Sequence, residues 1–231
     1  MKQIPLLLSG EHHCSYLDQK SSQSAFVHPD ILLRTDIYAQ LITQGFRRSG
    51  DEVYTPYCKN CSACVSVRVP VKDFKPNRNQ KRCSNKHLNT QVVVKPAKFE
   101  QAHYDMYLRY QDSRHTDGPM AEASPEDYIN FLSSSWCDTL FIEFSIDNEL
   151  AAIAVVDQFK NAWSAVYTFF DPKFCDYSLG VYAVLWQIKN CILLNKEFLY
   201  LGFWIEKCRK MNYKTDYQPL ELLINKHWQR F

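Results

Sequence analysis

Ala162-Trp-Ser-Ala-Val-Tyr-Thr-Phe-Phe170, stopped by Asp171-Pro172, leads to Ser178-Leu-Gly-Val-Tyr-Ala-Val-Leu-Trp-Gln-Ile-Lys-Asn-Cys-Ile-Leu-Leu194 and then Phe198-Leu-Tyr-Leu201. The first run is rich in aromatic and β-branched residues and reads as a strand; the last is a compact strand. Between them the helix from Ser178 to Leu194 is so apolar that it must be covered on most sides. A strand, a covered helix and a strand predict a parallel pair joined by a right-handed crossover. Working outward, Leu140 to Ile146 and Leu150 to Val156 read as two further strands with a turn at Glu149. The class is α/β (α+β layered): a mixed sheet with flanking helices.

The N-terminal half reads less regularly. Residues 12 to 28 form an irregular polar opening, and Asp36 to Gln44 a short helix capped by Asp36 and ended by Gly45. Val65-Ser-Val-Arg-Val-Pro-Val71 alternates as a half-buried strand does. Asn77 starts a helix that ends before Asn89, with Thr90 to Val94 strand-like after it. Phe99 to Tyr110 reads as a helix, and Ser124-Pro-Glu-Asp127 opens another through a capping box. Residues 205–211 read as a short helix and 219–229 as a last one. The chain divides into an N-terminal cysteine-containing region with a basic segment, 1–95, and a second domain, 96–231, that holds the strand–helix–strand unit.

At 231 residues, 46% hydrophobic and 23% charged, the composition is that of a globular protein. A net charge of +2 does not by itself imply nucleic-acid binding, so such contact needs charge gathered locally. Residues 72–87 gather it: Lys72, Lys75, Arg78, Lys81, Arg82, Lys86 and His87 answer one acid, Asp73. No leader or run of about 18 apolar residues is present, so a cytoplasmic location and no membrane partner are expected. There the nine cysteines should be thiols. Cys58, Cys61 and Cys64 stand at metal-like spacing, and with Cys83 they would give four thiolates for a structural zinc; packed free thiols are the competing reading. None of the six glycines forms a phosphate loop, which argues against an ATP-driven reaction.

Tyr54-Thr-Pro-Tyr-Cys-Lys-Asn-Cys-Ser-Ala-Cys64, Phe74-Lys-Pro-Asn-Arg-Asn-Gln-Lys-Arg82, Arg114-His-Thr-Asp-Gly118, Ala165-Val-Tyr-Thr-Phe-Phe-Asp-Pro172, Ser178-Leu-Gly180, Tyr200-Leu-Gly-Phe-Trp-Ile205 and Lys210-Met-Asn-Tyr-Lys214 together resemble the bacterial aspartate/glutamate leucyltransferases, relatives of the arginyl-tRNA–protein transferases. The resemblance spans almost the whole chain. It implies an acetyltransferase-like (GNAT) fold and transfer of leucine from leucyl-tRNA to the N-terminal amine of proteins beginning with Asp or Glu, which marks them for N-degron degradation. The eukaryotic relatives carry an early Cys-Gly-Tyr-Cys pair proposed to hold an iron-sulfur cluster. Here Cys14-Ser-Tyr-Leu17 lacks the second thiol, and no cofactor is expected.

Such a reaction is aminolysis of an activated ester, in which orientation and preorganised dipoles do most of the work. On this resemblance Arg78, with Asn79 and Gln80, is expected to hold the acidic first residue, since a guanidinium matches a carboxylate. Lys81, Arg82, Thr168, Ser178, Leu179, Gly180 and Trp204 are expected to hold the tRNA or donor. His115 and Tyr167 are the catalytic candidates, His115 because its ordinary pKa lies near working pH. Two alternatives remain at this point: an acyl-CoA N-acetyltransferase of the same fold, and a non-enzymatic zinc or RNA-binding module.

Overall fold

The computed structural model describes residues 4–114 and 123–231. The chain opens with β1 (Leu6–Leu8), β2 (His12–His13), β3 (Ser21–Ser22), β4 (Ser24–Val27), α1 (Thr35–Thr43), β5 (Arg47–Ser49) and β6 (Glu52–Pro56). β1, β4, β6 and β5 form a four-stranded antiparallel sheet, and β2 pairs with β3. The polar opening expected to be irregular therefore holds short strands, too brief for alternation to show in the sequence. Asp36 does not cap α1. The cap is Arg34, which makes no capping bond with its side chain and instead pairs with the Asp36 carboxylate at 2.7 Å. Gly45, at φ +90°, closes the helix as read.

Next come β7 (Val65–Pro70), α2 (Arg78–Lys86), β8 (Gln91–Pro96), α3 (Gln101–Arg114), α4 (Pro125–Leu132), β9 (Thr139–Ile146), β10 (Glu149–Gln158), β11 (Ala162–Phe170), α5 (Leu179–Leu193), β12 (Phe198–Trp204), β13 (Glu221–Ile224) and β14 (His227–Arg230). Eight of these strands form one mixed sheet in the order β14-β13-β7-β12-β11-β10-β9-β8. Every neighbouring pair is antiparallel except β11 and β12, the parallel pair that flanks α5. β7, from the first third of the chain, lies inside this sheet between strands from its end.

Alternation assigns the two faces. Val67, Val69, Trp163, Leu199 and Leu201 pack with α5, whose Trp186 stacks on Trp163. The opposite face carries α1, where Tyr38, Leu41 and Ile42 meet Ala162 and Tyr200. On that same face α3 and α4 cover Phe141, Ile153 and Phe169.

Two helices read from the sequence are absent. Residues 205–211 are turns, followed by a 3-10 segment at Asn212–Asp216. Residues 219–229 contain the β13–β14 hairpin, whose two central residues Asn225 and Lys226 sit at φ 50° and 64°. Positive φ at both positions makes the two-residue turn that suits strand twist, a pairing that outweighs local helix propensity.

Candidate active site

The site is built around the parting of β11 and β12. They pair only from Ala162↔Phe198 to Ser164↔Tyr200. Beyond that β11 runs on with β10 and β12 runs on with β7, so their facing backbone edges open toward the C-terminal ends of both strands. Register shifts at Val166 in β11 and at Leu201 in β12 fall where the two strands part. α5 begins at this same end, just after β11.

On the α5 face, α2 is fastened to the approach to α5 through three successive carbonyls. Lys86 Nζ donates to Asp176 O at 2.8 Å, the His87 ring to Tyr177 O at 2.7 Å, and Cys83 Sγ to Ser178 O at 3.8 Å. His87 also stacks on Tyr182, ring centroids 4.0 Å apart. Ser178 sits at φ 55° and caps α5 without a side-chain bond, so its hydroxyl leaves the first-turn amides to other partners. Gly180 lies in open space, while Leu179 is buried in the core. Arg78, Asn79, Lys81 and Arg82 are exposed on α2, which reaches this helix start through its C-terminal end. The structure thus brings the basic helix and the α5 N-terminus together, a surface suited to phosphate.

Gln80 is not available in the same way. Its side chain closes the capping box with Asn77 and donates to Asp216 O at 2.9 Å, leaving it buried. Tyr167 is half-buried on the α3 side, its ring 5.5 Å from Phe131 and 6.4 Å from Tyr110, and burial raises its phenol well above the ordinary tyrosine range. Thr168 alternates to the α5 face. Trp204 pairs with Val65 at the end of β12 and packs beside Phe231. His115 lies outside the described residues.

Sequence reading missed two cations at the opening, Arg47 on its α1 face and Lys214 beside β12. Arg47 on β5 reaches across the gap: its Nη2 donates to Ala165 O at 3.0 Å and Val166 O at 3.3 Å, and its guanidinium stands 5.9 Å from the Phe203 ring. A Cβ on Gly202 would fall 1.2 Å from Arg47 Nη1, so the glycine at φ +79° makes the room. Lys214, only 4% exposed, donates to Phe203 O at 2.6 Å. Burial, then the charge of Arg47, pulls the Lys214 amine down to about 7. The usable signal was the Arg47-Arg48 pair, since adjacent residues on a strand must point to opposite faces.

The expected four-thiol set is not assembled. Cys83 lies on α2 against Ser178, whereas Cys64 is influenced by Cys58, Cys14 and Cys61. Burial first, then these thiols, push Cys64 up to about 12. Among the described residues, the metal-ligand atoms that converge within 4.8 Å are those of Glu100, His103 and Glu143. Lys95 supplies their cation, 2.6 Å from Glu143.

Residues 12–82 match the family model for the N terminus of arginine-tRNA-protein transferase, and residues 102–224 the model for its C terminus. An aspartate/glutamate leucyltransferase of Saccharophagus degradans is 44% identical over 100% of this chain and 98% of its own. One of Pseudomonas fluorescens is 47% identical over 94% of this chain and 92% of its own. Among solved structures, FemX is similar with a TM-score of 0.47 at 8% identity, over 86% of this chain and 79% of that one. With both family models matched and relatives of this identity along nearly its whole length, the chain belongs to the aspartate/glutamate leucyltransferase family of aminoacyl-tRNA–protein transferases.

Proposed function

We propose that this enzyme moves leucine from leucyl-tRNA to the α-amine of proteins beginning with Asp or Glu, marking them for N-degron degradation, and that the reaction takes place in the opening between β11 and β12. The observation that carries the location is the parted parallel pair, with cations and a helix N-terminus on one face and Arg47 reaching in from the other. An acetyltransferase-like (GNAT) reading of the fold is supported by the same antiparallel β9–β10–β11 run, crossover α5 and splayed β12. Arg78, Lys81 and Arg82 hold backbone phosphates near the tRNA acceptor end; in water such contacts suit phosphate better than selection of one carboxylate. The acceptor amine attacks the ester carbonyl, the tetrahedral species forms, and the ribose oxygen leaves with the proton that the amine gives up. The ester is already activated, so this reading includes no cofactor, and an ordinary α-amine near pKa 7.7 is partly neutral at working pH. A cytoplasmic location, where charged tRNA is at hand, belongs to the same reading. Among the described residues, no helix is long and apolar enough to cross a membrane.

The test is transfer of radiolabelled leucine from pre-charged tRNA, without ATP, to peptides beginning with Asp, Glu, Arg or Ala, with arginyl-tRNA as the donor control. Transfer confined to leucyl-tRNA and acidic N termini is expected. Equal use of arginyl-tRNA, or no transfer by folded protein, would overturn the reading.

A further inference from the structure

Arg47 and Arg48 are neighbours on one short strand, yet they are engaged very differently. Arg48, buried, spends its donors within the fold: Asp157 at 2.6 and 2.7 Å, Thr139 at 3.1 Å, and the carbonyls of Gly50, Leu132 and Ser133. Arg47 uses only Nη2, on Ala165 O and Val166 O; among the described residues its Nη1 and Nε meet no acceptor. Nor does a carboxylate of the described residues pair with Arg47 or Lys214, although Arg48 and Arg68 each hold one. Their attachment points are adjacent, Nη1 against Gly202 and Nζ on Phe203 O. A guanidinium drawn into a half-buried gap without a counter-ion, beside an amine that burial pulls toward its neutral form, costs free energy unless an anion arrives to pair with both.

We propose that Arg47, with Lys214 beside it, is the specificity site that receives the carboxylate side chain of the acceptor's first residue. This deepens the leucyltransferase reading and rests on it. The space left around Arg47, lined in part by Ile42, Phe46, Ser66 and Ser164, is about 10 Å³, room for one water at most, so the guanidinium is packed in protein with Nη1 and Nε beside Gly202 at the opening. The exposed cations of α2 lie across the sheet, on the α5 face, where the tRNA has its own surface. A short acidic side chain on an extended N terminus can approach from the Arg47 face and place its amine in the gap while the ester enters from the other. Guanidinium and ammonium only donate, so Asp and Glu are matched; Asn and Gln bring an NH₂ and no charge.

Arg47→Gln and Lys214→Met are assayed with leucyl-tRNA and matched peptides beginning with Asp or Asn, alongside leucyl-tRNA binding by filter retention. Wild type preferring Asp by a wide margin, and Arg47→Gln lowering kcat/KM for the Asp peptide about 100-fold or more with a much smaller fall for the Asn peptide and leucyl-tRNA still retained, is the expected result. Lys214→Met should shift the ratio the same way by less. Gly202→Ala provides a second route: its new Cβ falls on the Arg47 guanidinium and also strains a backbone at φ +79°, so folding is checked by its urea midpoint, and it should also lower the Asp/Asn ratio. An undiminished Asp preference in folded Arg47→Gln or Gly202→Ala, or equal loss for both peptides, overturns the assignment while leaving the leucyltransferase reading intact. Wild type that moves no leucine to Asp peptides overturns both.

Discussion

A single position on β5 decides whether an arginine holds the fold or faces the site. Arg48 and Asp157 are both fully enclosed, and the remaining guanidinium donors reach β9, the end of α4 and the turn after β5. Arg48→Met leaves Asp157 buried without a cation, held by neutral donors such as Thr139 Oγ1 at 2.7 Å, and should destabilise the protein by about 3–5 kcal/mol in urea unfolding. Adding Asp157→Leu should recover much of that loss; no recovery would mean the cost lies in the orphaned carbonyls instead. Lys214 gives a pH signature. Its folded pKa of about 7 lies below its ordinary 10.5, so between those values the unfolded chain binds a proton that the folded one does not. Stability from this group therefore rises with pH across that window. From pH 7 to 8.5 wild type should gain stability relative to Lys214→Met, read from urea midpoints. A constant difference would show that the buried amine keeps its proton.

Among the elements, those with strong local signals were legible. α2 begins at Asn77 with the capping box to Gln80, and α4 at Ser124 with one to Asp127. α5 and β11 fall within a residue of their expected bounds because apolar periodicity runs through them. β12 was read only to Leu201, since glycine ordinarily ends a strand; here the register shifts between Tyr200 and Gly202, and the strand continues to Trp204. The β13–β14 hairpin was hidden because Asn225-Lys226 lacks the glycine that usually announces such a turn. Lys226 at φ 64° carries a left-handed conformation unfavourable to a side chain. Lys226→Gly should stabilise the protein by about 0.5–1 kcal/mol in urea unfolding; a loss would mean that the lysine side chain packs usefully on the sheet.

At the scale of the molecule, strands from both ends of the chain share one sheet. β7 pairs with β12 through six residues and with β13 through two. Arg48 ties the first hundred residues to β10 from the other side of the fold. A fragment comprising residues 96–231 therefore lacks a strand inside its sheet and one half of a buried ion pair. Expressed alone, it should show no cooperative thermal transition by circular dichroism; a sharp transition near that of the full chain would show that the C-terminal portion closes its own core. The same long-range pairing explains what the candidate site kept hidden. Period two told that Arg47 and Arg48 point apart, but not which of them would meet Asp157, 109 positions away. Nor did spacing tell that Cys83 would leave the thiols at Cys58, Cys61 and Cys64 to lie against Ser178.

The sequence by itself determined the layered α/β class, the crossover from β11 through α5 to β12, the basic helix and the family likeness, because hydrophobic period, caps and motifs are local properties. Only the tertiary structure decided that β11 and β12 part, that α2 and Arg47 stand on opposite faces of the gap, and that Lys214 is buried beside it. Those facts depend on contacts between distant segments, where burial and charge are set by what the fold brings near rather than by neighbours along the chain.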